Sequence, residues 1–289
     1  MHWHKITLVA GTDNAEELEQ HLWANGAVAI TFTDSQDAPI FEPGPGETPL
    51  WDSLYICGLF DQDQTIEQVV NHLEANGAEV HQIEAVQDQV WERQWLKEFK
   101  PKSFGRNLWV VPTAYDIPSE ARTAIRLDPG LAFGTGTHAT TGLMLEWLDQ
   151  QSLQGKRVVD YGCGSGILAI AALLLGAEKS VAVDIDPQAL TAAHDNAVLN
   201  GVADRLDIVM AEEFKASEHD VVLANILAGP LIELAGLLTS CLCINGDLVL
   251  SGVLSSQVAQ VQSAYLHDIS FVRQTNREGW VCTHGKRCY

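Results

Sequence analysis

Residues 158–166 read V-V-D-Y-G-C-G-S-G, and this stretch decides the fold. Two valines lead into Asp160, glycines follow at 162, 164 and 166, and an apolar run over 167–175 continues as a helix. Glycines directly after a strand let a ligand approach the backbone, and the helix they open offers free N–H donors. Gly162 and Gly164 are therefore candidate cofactor contacts. The spacing is G-x-G-x-G with an aspartate before it, unlike the G-x-G-x-x-G of dinucleotide enzymes. Alone, the turn marks a nucleoside-cofactor fold and nothing narrower.

Downstream, strand-like and helix-like stretches alternate. Residues 157–161, 180–184, 206–210, 221–225 and 247–251 read as strands, with helical patterns at about 166–175, 187–199 and 228–241. The alternation predicts an α/β fold with a mostly parallel sheet and ligand sites at the strands' C-terminal ends. Residues 271–275 and 280–284 add an antiparallel pair. Asp184 closes the second strand, 22 residues after Gly162. A carboxylate there accepts the ribose hydroxyls of a nucleoside; helix capping is the alternative. Pro187 suits the first position of the next helix. Asn225 closes the fourth strand, where its side-chain oxygen can orient an incoming nucleophile. A turn or cap role is the alternative there.

Upstream, F-G-T-G-T-H-A-T-T at 133–141 precedes an amphipathic helix over 142–148. Its two glycines, four threonine hydroxyls and helix N-terminus suit the carboxylate end of an amino-acid-like cofactor; a flexible hairpin loop with a capped helix is the alternative. His138 reads as a solvated loop residue rather than a base.

The front of the chain is duplicated. H-L-W-A-N-G-A-V at 21–28 recurs as H-L-E-A-N-G-A-E-V at 72–80. Each copy reads β-α-β: strands at 3–9 and 54–60, helices at about 14–25 and 65–76, strands at 27–33 and 79–86. This is the split βαβ, or ferredoxin-like, arrangement. Residues 39–49 hold four prolines and read as a surface loop. His2, His4, His21, His72 and His81 make no convincing ligand set, and no metal is expected. Residues 87–99 read as a linker helix with Trp91, Trp95 and Phe99 on one face, ended by Pro101. The expected domains are 1–86, a recognition module; 87–101, the linker; and 102–289, the catalytic domain.

The net charge is −21, of which residues 1–100 carry −14. Such a surface repels phosphate backbones, so no direct nucleic-acid binding is expected; it suits a basic protein partner, and solubility alone is the equally common alternative. Six scattered cysteines include no C-x-x-C pair, which fits reduced thiols in the cytoplasm. No apolar run is long enough to cross a bilayer.

Together, F-G-T-G-T-H-A-T-T, D-Y-G-C-G-S-G and N-I-L-A at 225–228 resemble the class I S-adenosylmethionine-dependent methyltransferases. Over essentially the whole chain they resemble the ribosomal protein L-eleven (L11) methyltransferase family in particular. The resemblance implies a Rossmann-like catalytic domain preceded by a small ferredoxin-like domain, with S-adenosyl-L-methionine as cofactor. Lysine and N-terminal amines of the large-subunit ribosomal protein L11 would be the acceptors, and the enzyme would act as a monomer. Carried over residue by residue, Thr141, Gly162 and Gly164 would contact the methionine moiety and Asp184 the ribose. Asn225 would lie beside the cofactor and serve as the catalytic residue on the acceptor side. Ala228 leaves no stacking platform for a planar acceptor, which favours an aliphatic amine. The alternatives are transfer to a planar amide of a translation factor, a nucleotide-binding regulator without turnover, and a dinucleotide dehydrogenase.

Overall fold

The repeated His-Leu-x-Ala-Asn-Gly segment builds the same helix ending twice. Helices α1 (Ala15–Ala24) and α2 (Ile66–Ala75) are followed by Asn25 and Asn76. Each asparagine Nδ2 donates to the main-chain carbonyl four residues back, on His21 or His72, at 2.7 Å. His81 is also accounted for, stacked on Tyr55 at 4.6 Å. Strands β1 (His2–Gly11), β2 (Ala29–Asp34), β3 (Ser53–Asp61) and β4 (Glu79–Gln87) form one antiparallel sheet in the order β2-β3-β1-β4. Alternate residues of β3, Leu54, Ile56 and Phe60, are fully buried with Leu22 and Leu73 of the helices. Burying each such side chain contributes about 1.5–3 kcal/mol.

The computed structural model describes residues 2–36, 50–87, 99–128 and 138–288, in two compact units, Met1–Trp91 and Glu92–Tyr289. The proline-rich stretch at 39–49, most of the linker helix including Trp91 and Trp95, and the F-G-T-G-T run at 133–137 lie outside the described residues. Phe99 is buried in the core of the second unit.

That unit opens with a small sheet of β5 (Lys102–Phe104), β6 (Leu108–Val111) and β7 (Thr123–Arg126), which the sequence reading does not assign. Helix α3 (Ala139–Asp149) follows. The main sheet comprises β8 (Arg157–Tyr161), β9 (Lys179–Asp184), β10 (Leu206–Met210), β11 (His219–Asn225), β12 (Leu242–Leu254), β13 (Ile269–Arg277) and β14 (Trp280–Arg287). Its order is β10-β9-β8-β11-β12-β14-β13, with β14 antiparallel to both neighbours. Helices α3, α4 (Ile167–Leu174) and α5 (Pro187–Leu199) cover one face. Helices α6 (Ala228–Glu233), α7 (Ala235–Ser240) and α8 (Val258–Ser263) cover the other. Both faces being covered, the central strands are continuous apolar runs, as in Val221 to Ala224, all fully buried. From β8 the chain winds outward to β10, then returns past β8 to β11. A crevice therefore opens at the C-terminal ends of β8 and β11, the switch point where doubly wound sheets bind ligands.

Two expectations need correction. The helix over 228–241 is broken at Leu234, in a stretch that carries Gly229, Pro230 and Gly236, all weak helix formers. Strand β12 starts five residues before the expected 247, because Asn245 takes a left-handed φ of 63° that carries the strand through Asn-Gly rather than ending it.

At the opposite end of the sheet from the crevice, Asp247 collects two lysine ammonium groups and an imidazole. His284 Nε2 lies at 2.8 Å, Lys286 Nζ at 2.7 Å and Lys156 Nζ at 3.4 Å. Burial works to raise this carboxyl, but hydrogen bonds from His284 and Lys286 and the charges of Lys286 and Lys156 outweigh it and hold it at about 2. A depressed carboxyl stabilises the fold above its unfolded pKa and loses that contribution as pH falls through the folded value. Asp247→Asn is expected to cost about 2 kcal/mol at pH 7. Urea titrations should show the gap from wild type closing between pH 4 and pH 2. An equal gap at both ends of that range would contradict the assignment.

Candidate active site

The glycine turn is tied to the neighbouring strand. Gly162 and Cys163 donate their N–H groups to the Val183 carbonyl at 2.8 and 3.0 Å, and the Gly164 N–H donates to Asp184 Oδ2 at 2.9 Å. All three glycines have positive φ, 76° at Gly162, 51° at Gly164 and 75° at Gly166. Gly162 has a further constraint: a Cβ there would overlap the Cγ2 of Ile226. The turn after β8 and the Asn-Ile turn after β11 are thus in contact across the crevice.

Asp184 is held from both sides. Its Oδ1 accepts the Asp186 N–H at 3.0 Å while Oδ2 takes that of Gly164. An ionised carboxylate offers about four acceptor sites, so capacity remains for a ligand's hydroxyls. Asp186 caps α5 by accepting from the Gln188 N–H at 2.8 Å, and Pro187 is the first residue of that helix, as its position predicts. Between them Ile185 is 80% exposed, an apolar side chain left at the crevice lip.

Asn225 ends β11, and its side chain is anchored across the crevice. Its Nδ2 donates to the Thr141 hydroxyl at 3.2 Å. Thr141 is buried in the first turn of α3. An amide whose nitrogen is engaged this way presents its Oδ1 as an acceptor. His138 is more than a solvated loop residue. Exposed though it is, it caps α3, its Nδ1 lying 2.7 Å from Thr140 Oγ1 and 3.4 Å from the Thr140 N–H. Behind Asn225, Gly252 of β12 has φ +84°, and a Cβ there would overlap the Ile226 carbonyl oxygen.

Thr141, Gly162, Gly164, Asp184 and Asn225 all line one cavity of about 310 Å³. That is within the usual size of a small-molecule site. Tyr161, Ile226, Pro230 and Leu234 line it as well. Sequence reading missed this wall, and with it Ile185 and Gly252. Among the described lining residues the ionisable side chains are Tyr161, Cys163 and Asp184. Burial pushes the Tyr161 and Cys163 groups up, so both stay protonated at neutral pH.

Asp160 sits fully buried beneath the turn. Its Oδ2 accepts the Ala169 N–H at 3.1 Å, and its Oδ1 has no partner among the described residues. Burial, with the charge of Asp184 adding to it against the Ala169 hydrogen bond, pushes this carboxyl up to about 7. A raised carboxyl favours the folded state only while protonated, so its contribution declines from about pH 4 to about pH 7. Asp160→Asn removes that slope. Its stability is expected to gain on wild type across this window, by on the order of 4 kcal/mol at the limit. Parallel profiles in chemical denaturation would overturn this assignment.

The family model for Ribosomal protein L11 methyltransferase (PrmA) matches residues 2–288. The chain is 48% identical to a ribosomal protein L11 methyltransferase of Histophilus somni (strain 129Pt), over 99% of this chain and 98% of the relative. It is 49% identical to that of Pseudomonas putida (strain F1), over 99% of this chain and 100% of the relative. Among solved structures, a ribosomal protein L11 methylase from Lactobacillus delbrueckii subsp. bulgaricus superposes with a TM-score of 0.58 at 32% identity. That match covers 66% of this chain and 99% of the other.

Proposed function

The chain belongs to the ribosomal protein L11 methyltransferase family, and from that premise we propose that it moves methyl groups from S-adenosyl-L-methionine to lysine and N-terminal amines of ribosomal protein L11. One observation carries the reading. The Thr141–Asn225 hydrogen bond fixes the amide of a residue that lines the same cavity as the glycine turn and Asp184.

The residues present fit the cofactor. Asp184 retains acceptor sites for ribose hydroxyls, Ile185 offers an apolar lip for a base, and the Gly162–Gly164 turn admits a ligand against its backbone. Thr141, at the first turn of α3, would hold the methionine end. When bound, S-adenosyl-L-methionine supplies a methyl group already activated on a sulfonium. What the chain must add is alignment, and holding two reactants in register can lower a barrier by about 7–11 kcal/mol. Asn225 Oδ1 accepts an N–H of the incoming amine and so turns its lone pair toward the cavity.

An amine attacks only when neutral, and lysine in water has a pKa of about 10.4. The apolar wall of Ile226, Pro230 and Leu234 desolvates it and disfavours the ammonium form. Among the described lining residues Tyr161 and Cys163 are protonated and Asp184 is assigned to the ribose, so water is taken as the proton acceptor.

The front unit is read as a ferredoxin-like recognition domain, 1–86, joined by a linker at 87–101 to the catalytic domain at 102–289. Its antiparallel β2-β3-β1-β4 order with both helices packed on the sheet supports the fold, and its acidity suits a basic ribosomal protein. Reduced thiols suit a cytoplasmic protein; all six cysteines are free, and no helix among the described residues is long and apolar enough to cross a membrane.

Transfer to a planar amide of a translation factor is the competing reading. Ala228, buried at the start of α6, opposes it by offering no ring to stack on the acceptor. Tandem mass spectrometry of cell extract incubated with the protein and isotopically labelled cofactor separates the two. Label on lysine and N-terminal nitrogens of L11 is expected, and label confined to glutamine would reverse the assignment.

A further inference from the structure

The first turn of α3 carries Thr141, and the way that turn is held decides where the Thr141–Asn225 pair sits. Thr140, the residue before it, is buried and gripped on two sides. On one side its N–H points at His138 Nδ1, 3.4 Å away, and its hydroxyl lies 2.7 Å from the same nitrogen. A ring nitrogen that accepts an N–H is the unprotonated one, so the hydroxyl donates to it as well. On the other side stands Ser251, which is opposite Asn225 in the β11–β12 register. Its hydroxyl donates to the Val281 carbonyl at 3.0 Å and lies 3.5 Å from the Thr140 carbonyl oxygen. The turn that presents Thr141 is therefore wedged between its cap and the strand beside Asn225.

Histidine is an unusual cap. Serine, threonine, aspartate and asparagine are the preferred ones, with a side-chain oxygen as the acceptor. The imidazole supplies what they lack, a ring that reaches a distant segment. It makes a T-shaped contact with the Trp280 indole, with centroids 5.0 Å apart and planes at 70°. That is a favoured aromatic geometry. Trp280 opens β14, where it pairs with Leu254 of β12 and Arg277 of β13 at the crevice end of the sheet. One side chain thus ties the start of α3 to the tip of the β13–β14 hairpin.

We propose that His138 is a positioning residue for methyl transfer. Braced by Trp280, it fixes the first turn of α3 and so holds the Thr141 hydroxyl where Asn225 Nδ2 meets it. The proposal rests on the acceptor-side role given to Asn225 above. His138 is not among the described residues that line the crevice cavity, so its effect passes through Thr141.

The side-chain amide signal of Asn225 in the full-length protein, identified by its loss in Asn225→Ala, reports the bond to Thr141 without any turnover. Single-turnover rates with saturating S-adenosyl-L-methionine and L11 report alignment. In His138→Ala the Asn225 signal is expected to move in the direction it takes in Thr141→Val, with the other side-chain amide signals in place. The rate should fall by about tenfold or more, because a misplacement of about 1 Å is enough for such a loss. His138→Asn restores a cap, so its Asn225 signal should return toward the wild-type position and its rate to within about threefold of wild type. Trp280→Leu should slow the wild type but change the His138→Ala rate by less than about twofold, the non-additivity of residues that act through one contact. An Asn225 signal unmoved in His138→Ala would overturn the proposal, and so would additive losses in the double variant. A wild type that transfers no methyl group to L11, with the Asn225 signal still moving in His138→Ala, would instead sink the functional reading and support the placement of Asn225 by His138.

Discussion

Asn225→Ala is expected to slow methyl transfer by about 10²- to 10³-fold, the range seen when one preorganised hydrogen-bonding group is removed from an active site. The loss follows from where the side chain is held. Its Nδ2 is fixed on Thr141 at the rim of the cavity, which leaves Oδ1 as the amide's acceptor for the incoming nitrogen. Without it the amine reaches the cavity but is not aimed, and orientation is the main device available when the donor is already activated. Cofactor affinity should fall much less, by about tenfold or under, since one neutral hydrogen bond is worth about 1 kcal/mol. Thr141→Val keeps the shape of the residue and frees the asparagine amide to rotate, so its rate should lie between wild type and Asn225→Ala. Single-turnover kinetics with saturating cofactor measures both variants. An unchanged rate in Asn225→Ala would remove the assigned role.

Gly252→Ala is expected to be nearly as damaging, although the residue touches no reactant. Its φ of +84° alone costs an L-residue about 1–2 kcal/mol. The added methyl would also come within 2.8 Å of the Ile226 carbonyl carbon and 3.0 Å of its nitrogen, and overlap its oxygen. Those are backbone atoms and cannot rotate away. The Asn225–Ile226 turn must therefore shift, carrying Asn225 off Thr141. Gly162→Ala makes an instructive contrast: it carries the same positive-φ strain, but its methyl overlaps a side-chain atom, the Cγ2 of Ile226, rather than backbone. Adding Ile226→Ala should restore part of the cofactor binding lost in Gly162→Ala but none of the turnover lost in Gly252→Ala. Calorimetry for binding and initial rates for turnover decide this. Equal rescue of both would show that the contact with the Ile226 backbone is not the cause.

The glycine turn, Asp184 and Asn225 are legible in the sequence for one physical reason. Each stands at the end of an apolar run that must be a buried strand, and strand ends are where such sheets place ligands. The duplicated Asn-Gly endings are legible because helix termination is local chemistry. Other features depend on contacts between distant segments. Thr141 and Asn225 are 84 positions apart, and Gly252 is defined by an isoleucine in the turn after β11. The sheet β5–β7 is made of strands of three and four residues, too short for alternation to declare itself. Asp247 gathers its cations from β14 and from the approach to β8, segments that only the strand order brings together.

The most direct measurement is the intact mass of purified ribosomal protein L11 after incubation with this protein and S-adenosyl-L-methionine. Successive additions of one methylene mass, located by fragmentation on lysine side chains and the N-terminal amine and nearly absent with Asn225→Ala, are the predicted result. An unchanged L11 mass under conditions where calorimetry shows the cofactor bound would contradict the proposed function.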